Sequence, residues 1–200
     1  MSRRVAVVPV GASGTASLLA ALARCGAHAF VTLDPREVEQ TTFLALAGTG
    51  GFDRGMEQLR SAGLADLLRK RVEHDRPTLA VATGMHVLFE SSDLHEGAVG
   101  IGAVPGAVGP LPPGAVCPHI GWNEIVGEDS AMPSGLAYFA HCAAVSKEPE
   151  GWLASWTDHG GPIVAALQRG TVLGCQFRPE LSGVYGDRAL RTWLMEAALW

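Results

Sequence analysis

The stretch Leu79–Ser92, LAVATGMHVLFESS, is the first place to look for chemistry. It reads as a buried strand, a sharp turn and an amphipathic helix. In α/β hydrolytic folds such a turn carries a nucleophile at its tip. Here the tip reads Ala82-Thr83-Gly84. A methyl group has no attacking atom. Thr83 has a hydroxyl, but it would need a base, and at a strained elbow only the tip side chain faces the site. Thr83 is therefore expected to point elsewhere. His86, one helical turn on, reads as a helix-surface histidine, with lining of the pocket as the alternative. In GCQFRPELSG, Gly174–Gly183, Arg178 and Glu180 stand two apart on one strand-to-turn segment. A carboxylate beside a guanidinium should ion-pair, and an exposed pair contributes only ~0–1 kcal/mol. The sharper expectation is that the Arg178 side chain fills a pocket at Ala82 and closes it. The four cysteines, Cys25, Cys117, Cys142 and Cys175, show no CxxC spacing and read as reduced, mostly buried thiols. Cys142 and Cys175 are expected to be small buried residues rather than displaced nucleophiles. The histidines have no metal-ligand spacing, so neither a metal nor a cofactor is implied.

Those residues need elements to hold them. Val5–Val10 is a short apolar run, read as a buried parallel strand. GASG then turns the chain, and Thr15–Cys25 has helical spacing, closed by Gly26. Ala27–Leu33 and Phe43–Leu46 read as strands, the latter running into the glycine-rich AGTGGF. Met56–His74 is helical with a break at Gly63. Pro77 introduces the strand Thr78–Ala82, and Gly84–Phe89 opens the next helix. From Gly97 to Trp122 the chain is rich in Gly and Pro and reads as loops and short strands. Ala137–His141 is a strand. Ile163–Gln168 and Thr171–Phe177 flank Arg169-Gly170, a two-residue hairpin signal. Gly186–Trp200 is a terminal helix with Leu190, Leu194 and Leu199 facing inward. The pattern is an α/β core with an antiparallel insertion, in one domain spanning residues 1–200.

Composition narrows the field. The 200 residues are 48% hydrophobic and 18% charged, with net charge −5, enough for a folded core. Basic residues are scattered, which argues against nucleic acid. No segment approaches the ~18 apolar residues of a membrane span. The apolar run before Pro9 is shorter than the ~7–15 residues of a signal core. A cytoplasmic chain without membrane attachment is the expectation.

Six stretches together resemble one family, the class I glutamine amidotransferases, most closely the glutaminase subunit of imidazole glycerol phosphate synthase. LAGTGGFDRGM is similar to the family's PGVGAF loop and following GM. PTLAVATGMHVLFESS resembles its elbow, usually PILGICLGMQLLFESS. GIGAVPGAV, PHIGWNEI, YFAHC and GCQFRPELSG resemble GLGLIPGxV, PHMGWN, YFVHS and GxQFHPEKSG. They fall in the family's order and cover nearly the whole chain.

The resemblance implies a flavodoxin-like fold: a central, mostly parallel sheet flanked by helices, with a small antiparallel insertion. It also implies a cysteine nucleophile, a histidine base oriented by glutamate, and backbone N–H groups that hold an oxyanion. Carried over by residue, the nucleophile position is Ala82 and the histidine position is Arg178, while Glu180 is retained. Gly48, Thr49 and Gly50, with Thr83, Gly84 and His86, fall on the oxyanion and substrate loops. The loop proline is replaced by Ala47. Arg178 has no acceptor lone pair and cannot be a general base. In a serine-protease triad, loss of one member can cost ~10⁶ in rate, and a second loss adds little. The expected outcome is a degenerate subunit without glutaminase activity. Pro118, His119, Gly121, Trp122, Asn123 and His141 match the family's cyclase-facing motifs, so the cyclase subunit or a paralogue is the implied partner, in a heterodimer. A glutamine-binding sensor, and an active enzyme with relocated catalytic residues, stay open as alternatives.

Overall fold

The apolar runs become a seven-stranded sheet in the computed structural model, which describes residues 3–12, 14–127 and 131–196. The strands are β1 (Arg3–Pro9), β2 (Ala27–Val31), β3 (Phe43–Gly48), β4 (Thr78–Ala82), β11 (Leu153–Asp158), β12 (Pro162–Arg169) and β13 (Val172–Cys175). Their order is β11-β12-β13-β4-β3-β1-β2. β2, β1, β3, β4 and β13 run parallel, and β11 and β12 complete one side antiparallel.

Side-chain alternation explains the continuous apolar runs, because both faces of the central strands are buried. Val5, Val7, Ala45, Leu79 and Val81 join one core. Ala6, Val8, Leu44, Leu46 and Ala80 join the other. The first core is covered by α1 (Thr15–Arg24) and α6 (Gly183–Glu196), through Leu18, Leu22, Leu190, Trp193 and Leu194. The second is covered by α3 (Phe52–Ser61) and α4 (Ala65–Glu73), through Met56, Leu59, Leu68 and Val72. The flavodoxin-like α/β architecture is therefore present. In such sheets the crevice beyond the carboxyl ends of the strands is where ligands sit.

Several local expectations change. The helix of Gly84–Phe89 shrinks to one turn, α5 (Thr83–His86), and Phe89–Ser92 is strand β5. The cause is competition for carbonyls: Val87 O and Leu88 O accept from Ile101 N and Ala103 N at 2.8 and 2.9 Å. Gly100 permits this approach, since a Cβ there would meet Phe89 O at 2.0 Å. A short helix at Pro35–Gln40, α2, was not anticipated, although its signals are in the sequence: Asp34 caps it by accepting from Arg36 N at 2.8 Å, and proline follows the cap. β11 was also unanticipated. The hairpin turn falls at Gly170-Thr171, one residue later than expected, because Arg169 pairs with Val172. The last helix begins at Gly183 rather than Gly186. Ser13 of the GASG turn, and Leu199 with the helix end to Trp200, lie outside the described residues.

The insertion has two parts. β8 (His119–Ile125) and β9 (Gly135–His141) form an antiparallel ribbon. β6 (Ala98–Val99), β7 (Val104–Pro110) and β10 (Ala143–Ala144) join β5 in a four-stranded sheet of order β10-β7-β5-β6. Its β5–β7 pair is parallel, so the insertion is mixed rather than purely antiparallel.

Candidate functional site

The carboxyl ends of β3, β4 and β13 meet beneath the β8–β9 ribbon. Ala82 ends β4 with φ 50° and ψ −114°, a left-handed conformation that strains any residue with a Cβ. This is the geometry of a nucleophile elbow, held here by an alanine. Gly84 makes the turn possible: a Cβ there would meet Leu46 O at 2.2 Å. Thr83 Oγ1 donates to Gly50 O at 3.0 Å, tying the elbow to the glycine loop. That loop is itself tied down. A Cβ on Gly48 would meet Val10 O at 1.7 Å. Thr49 N–H donates to Ala12 O at 3.2 Å, and Ala12 N–H returns a bond to Thr49 O at 2.8 Å. The Thr49 amide, on the loop expected to hold an oxyanion, is thus engaged within the protein.

Ala82 opens onto a cavity of about 420 Å³, lined also by Thr49, Thr83, His86, His141 and Cys142. Its size lies within the ~300–1,000 Å³ of ordinary ligand pockets. Thr83 therefore borders the cavity after all, though its hydroxyl is committed to Gly50. His86 is not on a helix surface. It is buried and donates from Nε2 to Gln176 Oε1 at 2.7 Å. Burial lowers its pKa, an effect the Gln176 bond partly offsets.

Arg178 does not fill the cavity. Arg178 Nε donates to Glu180 Oε1 at 2.6 Å, with side-chain exposures of 10% and 1%. The pair is buried, not exposed as expected. A Cβ on Gly14 would lie 3.6 Å from Arg178 Nη2, which puts the guanidinium under the β1–α1 loop. The adjacent carboxylate holds the cation there and leaves the space at Ala82 open. Glu180 Oε2 is buried without a hydrogen-bond partner.

The ribbon separates the expected interface residues by face. Trp122, at 57% exposure, points outward beside Ile120 and Leu136, at 61% and 59%. Pro118 is exposed, and Gly121 and Asn123 are half-buried. His119 and His141, expected at the interface, are buried on the inner side. Their tautomers follow from their partners. His141 Nδ1–H donates to Ala143 O at 2.8 Å, so its Nε2 accepts from His119 Nδ1–H at 2.9 Å. His119 Nε2 then accepts from Asn123 Nδ2 at 3.4 Å. His119 also stacks between Phe139 and His159, with ring centroids at 4.8 and 3.9 Å. Burial pushes His141 down to about 3. Burial, with repulsion from His159, takes His119 down to about 4. This network carried no spacing signal, because its members lie on different strands and loops.

Of the cysteines, Cys175 meets expectation and Cys117 and Cys142 depart from it. Cys175 is buried, and burial pushes its thiol up. Cys117 and Cys142 are exposed, and Cys25 is intermediate. Among the described residues no group of three or more His, Cys, Asp or Glu could hold a metal ion. No helix there is long and apolar enough to cross a membrane.

Known proteins are similar to this chain in sequence and in fold. The model of the class I glutamine amidotransferase family matches residues 6–197. The imidazole glycerol phosphate synthase subunit HisH of Streptococcus gordonii is 36% identical over 187 residues, spanning 90% of each chain. The chloroplastic imidazole glycerol phosphate synthase hisHF of Arabidopsis thaliana is 34% identical over 199 residues, spanning 95% of this chain and 34% of that longer protein. A crystal structure of a glutamine amidotransferase superposes with a TM-score of 0.79 at 21% identity, covering 96% of this chain and 98% of that one, a likeness of fold. With the family model matched over residues 6–197 and a relative 36% identical over 90% of the chain, the chain belongs to the class I glutamine amidotransferases.

Proposed function

We propose that this chain is a glutaminase-like subunit of an imidazole glycerol phosphate synthase-type complex that does not hydrolyse glutamine and serves the cyclase as a structural or regulatory partner. The observation that carries this reading is the alanine at the strained elbow, φ 50°. Its methyl group faces an open cavity with no attacking atom at the tip. Arg178, ion-paired to Glu180 at 2.6 Å, cannot accept a proton. Cys142 lines the cavity but follows β9 instead of standing at the elbow tip, and Arg178 supplies it no base, so it does not replace the missing nucleophile.

The docking half of the reading rests on the outer face of the β8–β9 ribbon, where Ile120, Trp122 and Leu136 are exposed together. Exposed aromatic residues of this kind are frequent interface anchors. The HisH relatives are named as subunits of one synthase, and in the Arabidopsis protein the matching segment belongs to a longer chain. The partner is then the cyclase subunit or a paralogue, in a cytoplasmic heterodimer.

Co-purification with the organism's own cyclase, followed by turnover with glutamine or with ammonium, tests both halves. A complex that turns over with ammonium alone is expected. Turnover with glutamine would overturn the inactive reading, and absence of a complex at micromolar concentrations would overturn the docking reading. The open cavity favours one second reading, a sensor that binds glutamine without cleaving it. Calorimetry with glutamine separates the two, since the docking role needs no heat of glutamine binding.

A further inference from the structure

Cys117 and Cys142 have no part in that function, yet the fold brings them together. Both are free and exposed. In the β8–β9 ribbon His119 stands opposite His141, the pair nearest the ribbon's open end. One step beyond that pair the chain reaches Pro118 on one side and Cys142 on the other, with Cys117 next. The backbone bends at Cys117 and at Cys142, which lets the two side chains meet. Partial burial and the neighbouring Cys117 side chain raise the Cys142 pKa, which places the two thiols side by side. Cys117 stands one residue off the position facing Cys142; adding a ~3.3 Å step along the strand to the ~4.5–5.5 Å between facing Cα atoms gives about 5.6–6.4 Å, within the ~4.4–6.8 Å that a disulfide spans. The site is also placed where a bond has a consequence, because Cys142 and Pro118 line the cavity beside Ala82.

We propose that Cys117 and Cys142 are an oxidation site, joined by a peroxide into a reversible disulfide that staples the open end of the β8–β9 ribbon at the rim of the Ala82 cavity. The Cys117 thiolate attacks one peroxide oxygen, breaks the O–O bond and becomes a sulfenic acid, releasing hydroxide. The Cys142 thiolate then attacks that sulfur, forms the S–S bond and expels a second hydroxide. The protons lost from the two thiols convert both hydroxides to water. Sulfur is oxidised by two electrons in all and peroxide is reduced by two. A dithiol reductant reverses the bond by exchange. Partial burial and the neighbouring thiol hold Cys142 above the ordinary thiol range, so closure quickens as pH rises and thiolate accumulates. This site stands independently of whether the chain hydrolyses glutamine or binds a cyclase.

The test is peptide mapping of the native full-length chain after near-stoichiometric hydrogen peroxide, with free thiols blocked before digestion. The expected result is loss of two of the four thiols, a single intramolecular Cys117–Cys142 cross-link, and full return of both thiols with dithiothreitol. Cys25→Ser should leave the cross-link unchanged, and Cys117→Ser or Cys142→Ser should abolish it. Four intact thiols would overturn the proposal. So would oxygen added to one cysteine without a cross-link, or a cross-link to another cysteine or between chains. The map of the native chain decides the matter even if a serine variant fails to fold.

Discussion

At the scale of single residues, the elbow combines a strained backbone with an inert side chain. Left-handed strain at a residue with a Cβ costs about 1–3 kcal/mol. Ala82→Gly is therefore expected to raise stability by about 1 kcal/mol, read from urea midpoints, through relief of that strain. Ala80→Gly, in the same buried strand, should lower it by about 1 kcal/mol. Catalysis should respond differently. Ala82→Cys alone supplies a thiol without a base, and Arg178→His alone supplies a base without a nucleophile. Because such groups act as a unit, each single variant should release no ammonia above background. The double variant should exceed either by at least ~10²-fold in a coupled ammonia assay with the cyclase present. Ammonia release by the unaltered chain would contradict this account.

At the scale of elements, two close approaches hold the elbow in place. Gly84 lets α5 lie against β3, where a Cβ would meet Leu46 O at 2.2 Å. Gly84→Ala forces backbone apart and should cost more than ~2 kcal/mol, visible as a large drop in Tm. The ribbon divides its labour by face. Trp122 contributes little to folding, being 57% exposed with one ring contact to Tyr138 at 5.9 Å. Trp122→Ala should leave Tm within a few degrees of the native value. If the ribbon docks on a cyclase, the same change should weaken the complex by about 2 kcal/mol or more, roughly 30-fold in Kd by titration calorimetry.

At the scale of the whole molecule, buried imidazoles couple the fold to pH. His86, His119 and His141 all have pKa values lowered by burial, the last two to about 4 and about 3. The unfolded chain, with histidine near ~6.5, binds more protons in that range. Stability is fully present above pH ~6.5 and falls as pH drops toward the folded-state values, by up to about 1.4 kcal/mol per pH unit for each histidine. Urea unfolding at pH 7 and pH 5 measures the difference. His141→Gln should flatten the slope between them, and an unchanged slope would remove His141 from the account.

How much of this was legible in the chain differs between backbone and site. Apolar runs and helical spacing, with Gly26, Gly63 and Gly170 as punctuation, set out β1, α1, β3, α3, α4, β4 and the β12–β13 hairpin, because those signals are local. Asp34-Pro35 marks α2 by an equally local cap signal. Nothing in the basic run Arg69-Lys70-Arg71 marks out Arg71, which is buried and donates to Thr41 O and Pro77 O at 3.0 and 2.9 Å. The sequence by itself determined the α/β class, the elbow and the residue types at its tip, since each is written in contiguous residues. Only the tertiary structure decided that α5 stops after one turn, that Arg178 turns to Glu180 and leaves the cavity open, that His119 and His141 face inward, and that Cys117 lies beside Cys142. Each depends on partners far along the chain, whose hydrogen bonds and close packing outweigh local preference.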